Sequence, residues 1–301
     1  MNNRSFKLVK RTDGYGINFE AMASPCEVLI DSDDRKLAQK VAQVVTQEVW
    51  RIENKYSRYA TTSLCSQINV SNGKPVAIDN ETYLLFNFAK QCYELSDGLF
   101  DISSGVLRRV WHFDGSDNIP SADQVNQVLP AVGWERINYS EQQVIVPKGM
   151  EIDFGGIGKE YAVDKAISQL SLLTNTPMLV NLGGDLCASA PRRNGQAWQV
   201  GIEHPGFINK QEVVVSLFQG ALATSGDAKR FLLRKSQRFS HILNAKTGWP
   251  VEHAPASITI AAEHCIEAGV LATLAMLKGQ QAEAFLEAQE VKHWIVRHSD
   301  Q

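Results

Sequence analysis

The chain has 301 residues, 44% of them hydrophobic, and a formal net charge of -3. That apolar share supports a sizeable core, as one large domain or two lobes, and the small charge imbalance argues against a nucleic-acid surface. Five scattered cysteines (Cys26, Cys65, Cys92, Cys187, Cys265) without a C-x-x-C argue against a disulfide framework or cysteine zinc site and favour a reducing compartment.

Residues 1–10 lack the apolar core of a secretory signal, and no apolar run precedes Cys26 as it would in a lipoprotein signal. No run approaches membrane-span length. A cytoplasmic protein is expected unless a leader has been trimmed. Residues 17–30 predict one or two strands broken near Pro25. Apolar positions at helical spacing predict a helix over 35–55, with Asp33 or Asp34 as cap, a second over 80–95 ended by Ser96-Asp97-Gly98, and a third over 121–132 capped by Ser121. Short strands are expected at 136–139, 143–146 and 151–154, then a helix from about Lys159 and a buried strand at 178–182. Further strands are expected at 198–202, 212–218, 221–224, 239–243 and 257–262, helices at 265–277 and 281–288, and a last strand at 293–296. Strands in runs with interspersed helices, without strict alternation, predict an α+β fold with antiparallel sheets and packed helices.

The densest signal is the stretch 151–164, Glu-Ile-Asp-Phe-Gly-Gly-Ile-Gly-Lys-Glu-Tyr-Ala-Val-Asp. Glycines running into a helix start form a backbone cradle for phosphate. Two common nucleotide loops are excluded. A P-loop needs glycine where Asp153 stands and Ser or Thr where Glu160 stands, and a dinucleotide fingerprint starting at Gly156 needs glycine at Tyr161. A glycine-rich turn where a helix packs close to a strand explains the loop alone equally well. Asp153 tips the balance, because a carboxylate in an apolar segment needs donors to offset desolvation, from a nucleobase, a ribose or a metal-bound water.

Four other stretches are rich in Gly, Asp, Ser and Thr beside apolar strands: 96–105, 180–185, 223–227 and 240–248. Each alone is most often a turn; together they suggest polar loops converging on a large bound cofactor. His241 is the best lone catalytic candidate, although a single histidine in a strand is more often a satisfied core residue. His253, His264, His293 and His298 lack metal-ligand spacing, and no serine sits in a G-x-S-x-G elbow.

In order along the chain, these stretches resemble the FAD:protein FMN transferases, the ApbE family. The resemblance runs from about Met22 to Gly279. It rests on Ala21-Met-Ala-Ser24, Ser57-Arg-Tyr59 with Ser66-Gln-Ile-Asn69, Gly98-Leu-Phe-Asp-Ile-Ser-Ser-Gly105 with Trp111, Asp153-Phe-Gly-Gly-Ile-Gly-Lys159 with Tyr161-Ala-Val-Asp164, Val180-Asn-Leu-Gly-Gly-Asp185, Ala223-Thr-Ser-Gly-Asp227, Ser240-His-Ile-Leu243 with Thr247-Gly248, and Leu271-Ala-Thr273. It implies a T-fold-related domain, here 15–298, that splits FAD at its pyrophosphate with magnesium. FMN passes through a phosphoester bond to a Ser or Thr of an acceptor flavoprotein, and AMP leaves. Some members also hydrolyse FAD to FMN and AMP.

Carried over residue by residue, Met22, Tyr59, Leu99, Phe100, Asp101, Asp153 and Lys159 fall on flavin-nucleotide-binding positions. His241 falls on the histidine beside the cofactor, and Gly156 and Thr273 on two of three positions that hold Mg2+. The third position, an Asp in the family, is Gly269 here. Glu160 replaces a usual glycine, and Asn244-Ala245 a usual Asp-Pro. A cation held only by a carbonyl and a hydroxyl lacks an anionic protein ligand. Three alternatives follow. A carboxylate comes from elsewhere (Glu267, Glu160 or Asp227; Glu267 lies on a different helix face from Gly269, and Glu160, which departs from the family and lies in the glycine-loop region, is the better candidate); metal binds weakly, mainly through substrate phosphates; or the chain binds flavin without transferring it. FAD pyrophosphatase activity is a further alternative. Oligomeric state and the acceptor's identity stay open.

Overall fold

The computed structural model describes residues 4–202, 213–227, 230–234 and 237–298. Strands β1 (Phe6–Arg11), β2 (Gly14–Ala21) and β3 (Ser24–Ile30) open the chain. The break expected near Pro25 falls at Met22 and Ala23, whose φ angles are 52° and 55°. Both central residues of such a two-residue hairpin turn need left-handed backbone, which side chains other than glycine adopt at a cost. Pro25 is the second residue of β3, opposite Glu20, at a strand start where proline is tolerated.

Helix α1 (Arg35–Tyr56) buries Ala38, Val41, Ala42, Val45, Val49 and Ile52, and Asp34 caps it by accepting from the N–H groups of Lys36 and Leu37. Then come α2 (Leu64–Asn69), β4 (Val76–Ala77), α3 (Asn80–Leu95), a 3-10 segment Ile102–Arg109, α4 (Ala122–Val128), β5 (Asn138–Tyr139) and β6 (Gln143–Ile145). The helix expected over 121–132 stops at Val128 and tightens into a 3-10 turn, Leu129–Ala131. Pro130 disfavours continued α backbone at the residue before it.

The second half holds α5 (Gly158–Leu173), β7 (Met178–Leu182), β8 (Asp185–Ala188), β9 (Trp198–Ile202), β10 (Val213–Leu217), β11 (Gly220–Gly226), β12 (Phe231–Arg234), β13 (Gln237–Ser240), β14 (Ser257–Ala262), α6 (Cys265–Leu277), α7 (Ala282–Ala288) and β15 (Lys292–Val296). Glu212, the first residue of the strand expected at 212–218, lies outside the described residues.

Among the described residues, eight strands form one antiparallel sheet in the order β1-β2-β3-β7-β8-β11-β14-β15. Side chains alternate between its faces. Val28, Val180, Cys187, Ala221, Ala223, Ile258 and Ile260 join the core shared with α1, α5 and α6. Leu179, Leu186 and Leu222 pack with Trp198, Ile202, Val215 and Leu217 of the β9–β10 ribbon. This is the expected α+β architecture, and the double covering explains why β7 and β8 read as nearly continuous apolar runs.

Helix α6 has no local side-chain cap. Asp164 of α5 supplies one across the helix pair, accepting from the N–H of Cys265 at 2.8 Å and of Ile266 at 2.9 Å. Asp164→Ala is therefore expected to lower stability by about 1–2 kcal/mol, as other lost caps do. Urea unfolding monitored by circular dichroism measures it.

Candidate active site

Several loops meet at one end of the large sheet. The β2–β3 and β7–β8 turns touch there. The Gly183 N–H donates to the Pro25 carbonyl at 3.1 Å, and a Cβ on Gly183 would stand 2.7 Å from that of Ser24. The strained Met22 is pinned by its N–H donating to Glu53 Oε1 at 2.7 Å. Asp185, 2% exposed at the start of β8, accepts from Lys159 Nζ at 2.7 Å and from the Thr224 N–H at 3.3 Å. Burial opposes the charge on Lys159, but Asp185 and Glu160 outweigh it and hold the pKa above the ordinary lysine value. One residue beyond Thr224, Ser225 Oγ accepts from Thr273 Oγ1 of α6 at 3.5 Å.

Among the described residues no side chain caps the N-terminus of α5; the Gly158 N–H donates to the Phe154 carbonyl at 2.8 Å, which leaves the amides of Lys159 and Glu160 for an anionic ligand. A Cβ on Gly158 or on Gly184 would meet no atom of the described residues within 4 Å. Within the glycine loop the open approach that a phosphate cradle needs is at Gly158, whereas a Cβ on Gly155 would stand 3.2 Å from Asp153 Oδ1.

Asp153 stands at the loop's other end. The segment 151–154 joins no sheet among the described residues, contrary to the strand expected there. Its backbone groups pair elsewhere. Both the N–H and the C=O of Ile152 bond to the Asn69 side chain, at 2.7 and 2.9 Å, and the Asp153 N–H donates to the Ile102 carbonyl at 2.8 Å. The donors that Asp153 needs come from the protein itself: Arg58 forms an ion pair with it, and the Gly155 N–H donates at 2.9 Å. Gly105 must lack a side chain, because a Cβ there would lie 2.8 Å from Asp153 Cβ.

Tyr59 is 72% exposed. Its ring lies 5.0 Å from the Arg58 guanidinium, and its hydroxyl accepts from Arg58 Nη2 at 2.9 Å. Phe100 abuts Gly156, its Cε2 3.0 Å from where a Cβ would stand, and Leu99 is half-buried beside it. Asp101 turns into the protein. It accepts from the Ser103 N–H and Oγ at 2.8 and 2.7 Å and from the Trp134 N–H at 2.9 Å, so its carboxylate shapes the loop that carries Phe100.

His241 follows β13 instead of lying in the strand expected over 239–243, because β13 ends at Ser240. Its Nδ1 is 3.0 Å from the Arg230 carbonyl. A carbonyl only accepts, so Nδ1 carries the proton and Nε2 keeps its lone pair in the neutral ring. Burial lowers the His241 pKa below its ordinary 6.5, the Arg230 carbonyl opposes this, and the charge of Lys159 adds to the lowering. Lys159 and His241 thus share one electrostatic neighbourhood.

Of the three carboxylates considered for the gap at Gly269, two are elsewhere. Asp227 is buried against Arg238, with Nε to Oδ2 at 2.9 Å, and Glu267 is exposed. Glu160 fills the gap. Its Oε1 lies 2.8 Å from where a Cβ on Gly269 would stand, with Cγ closer still. Glu160 is 7% exposed, and its Oε2 has no hydrogen-bond partner among the described residues. Burial first, then the nearby Asp185 charge, push its pKa up to about 7 against the opposing pull of Lys159. Among the described residues no group of three or more His, Cys, Asp or Glu is placed to hold a metal. The oxygens on offer are a carboxylate (Glu160), a hydroxyl (Thr273) and a carbonyl (Gly156).

Sequence reasoning leaves Arg58 and Asp185 without roles. Both lie inside noted motifs, next to Tyr59 and after Gly183-Gly184, and a charge beside a flagged residue is the signal that marks them.

A family model described as the ApbE family matches residues 22–295. Similar proteins include the FAD:protein FMN transferase of Vibrio cholerae, 24% identical over 257 residues, 83% of this chain and 77% of that one. The FAD:protein FMN transferase of Klebsiella pneumoniae is 26% identical over 268 residues, 86% of this chain and 81% of that one. Among solved structures, the ApbE protein of Thermotoga maritima matches with a TM-score of 0.82 at 27% identity, over 97% of this chain and 94% of that one. With a family match over nearly all of its length, the chain belongs to the ApbE family.

Proposed function

We propose that this protein is an FAD:protein FMN transferase. The observation that carries the reading is an uncapped α5 N-terminus with Lys159 in its first turn, together with a histidine whose Nε2 keeps its lone pair and whose pKa the Lys159 charge lowers, in a chain whose relatives carry that name. The pyrophosphate of FAD lies against the α5 amides and Lys159. Tyr59 offers an exposed face to a ring, Met22, Leu99 and Phe100 form apolar walls, Asp101 holds the Phe100 loop, and Asp153 accepts from the adenine or ribose. A Ser or Thr hydroxyl of the acceptor flavoprotein attacks the FMN phosphorus. The new P–O bond forms as the anhydride bond to AMP breaks, the hydroxyl proton passes to His241 Nε2, and AMP departs with the bridging oxygen.

A carboxylate, a hydroxyl and a carbonyl are hard oxygen donors that fit Mg2+, so Glu160, Thr273 and Gly156 would hold it. When bound, Mg2+ supplies neutralisation of pyrophosphate charge. We take 15–298 as one functional unit. Among the described residues no helix is long and apolar enough to cross a membrane. A cytoplasmic location is our reading from the five buried free cysteines.

The test is incubation with FAD, Mg2+ and an acceptor carrying a threonine-containing flavinylation sequence. Acceptor gaining covalent FMN, read by mass spectrometry, is the expected outcome; unmodified acceptor beside a folded enzyme overturns the reading. AMP released without acceptor would mark FAD hydrolysis instead. The reading of flavin binding without transfer rests on Gly269, and the Glu160 carboxylate against that residue speaks against it.

A further inference from the structure

We propose that Glu160 is a ligand to a divalent cation at this site, reaching from α5 into the space that the missing side chain of Gly269 leaves on α6; this rests on the transferase reading for the cation's role but not for its binding.

Three observations carry it. The first is packing. Glu160 atoms occupy the space into which any side chain at 269 would extend. Glu160 and Gly269 therefore form a complementary pair, one side chain for two backbones. The second is the unpartnered oxygen. A buried carboxylate oxygen is desolvated and needs a donor or a cation, yet Oε2 has no partner among the described residues. Lys159 is already engaged by Asp185 at 2.7 Å. The single ammonium is thus spent on Asp185, which leaves Oε2 of Glu160 open to a cation.

The third is register. Asp164 bonds the amides of Cys265 and Ile266, and Glu160, four residues earlier, meets Gly269, four residues later. The two helices therefore run antiparallel in matched steps of four, about 6 Å each. One more step along α6 leads to the Thr273 hydroxyl, and the Gly156 carbonyl lies two residues before α5 begins. Glu160 therefore meets α6 on the face that carries Thr273, four residues beyond Gly269, and the Thr273 hydroxyl is an oxygen donor that a hard cation accepts. A buried acid that merely fills a hole would explain the packing but has no use for the Thr273 hydroxyl that follows in register.

The experiment is titration of the full chain with Mn2+, with and without FAD, following free Mn2+ by electron paramagnetic resonance. The variants are Glu160→Gln, Gly269→Asp and Glu160→Gly/Gly269→Asp, each checked for folding by circular dichroism. Wild type is expected to hold one Mn2+. Glu160→Gln keeps the shape and is expected to weaken binding at least tenfold. Gly269→Asp alone is expected to weaken it too, since the new side chain contends with Glu160. The double variant, which moves the carboxylate to α6, is expected to return to within a few-fold of wild type, a non-additivity that marks a direct pair.

Glu160→Gln binding Mn2+ as tightly as wild type overturns the proposal, as does wild type binding none in either condition. Flavinylation is scored separately. Glu160-dependent Mn2+ binding with no FMN transfer sinks the transferase reading alone. Transfer with Mn2+ affinity indifferent to Glu160 sinks this inference alone.

Discussion

Replacing His241 with alanine is expected to slow FMN transfer about 10²–10⁴-fold, the span that a positioned general base contributes, while FAD binding changes little. Arg230 O takes the Nδ1 proton, which fixes the tautomer and leaves Nε2 as the ring's only acceptor. A Thr or Ser hydroxyl is a poor nucleophile until its proton has somewhere to go. Burial then keeps the ring neutral, with its pKa below 6.5. The base works unprotonated, so the rate falls as pH drops through the His241 pKa and levels off above it. Because that pKa lies below 6.5, wild type should retain more than half of its plateau rate at pH 6.5. Single-turnover flavinylation against pH gives both quantities, and quenching of FAD fluorescence checks binding. A His241→Ala variant within tenfold of wild type would remove His241 from the chemistry.

Legibility in the sequence follows the range of the interactions involved. Asn80–Leu95, Met178–Leu182, Ser257–Ala262 and Cys265–Leu277 match their expected bounds, because apolar periodicity and flanking turn residues decide such elements locally. Strand β1 is absent from the expected elements. It is an edge strand rich in Lys and Arg with only a partly buried face, so it reads as polar chain. The segment 151–154 has a strand's composition, but Asn69 and Ile102 take the backbone bonds that a neighbouring strand would have used. The site divides the same way. Asp153, Lys159 and His241 sit in visible motifs. That Arg58 would neutralise Asp153 from 95 positions away, or that Glu160 would face Gly269, depends on helix packing that no local pattern encodes.

Lys159→Met is expected to raise the FAD concentration for half-maximal rate about 10–100-fold and to lower stability by about 2 kcal/mol. The first figure is the loss of one charge-assisted contact to phosphate, about 1.5–3 kcal/mol, at 1.4 kcal/mol per tenfold. The second comes from Asp185. It is 2% exposed and would keep its carboxylate without the ammonium 2.7 Å away. Breaking a fully buried pair from one side costs about 3–5 kcal/mol. The Lys159 side chain is 32% exposed, and solvent already screens part of the interaction, which brings the expectation down. The two effects separate in Lys159→Met/Asp185→Asn. Removing the stranded carboxylate should recover most of the stability in urea unfolding, because the amide oxygen of an asparagine still offers an acceptor to the Thr224 N–H. The FAD requirement should stay high, because the phosphate contact is still missing. A double variant that regains FAD affinity would show that Lys159 serves only to hold Asp185. One that stays unstable would show that the pair is not the source of the loss.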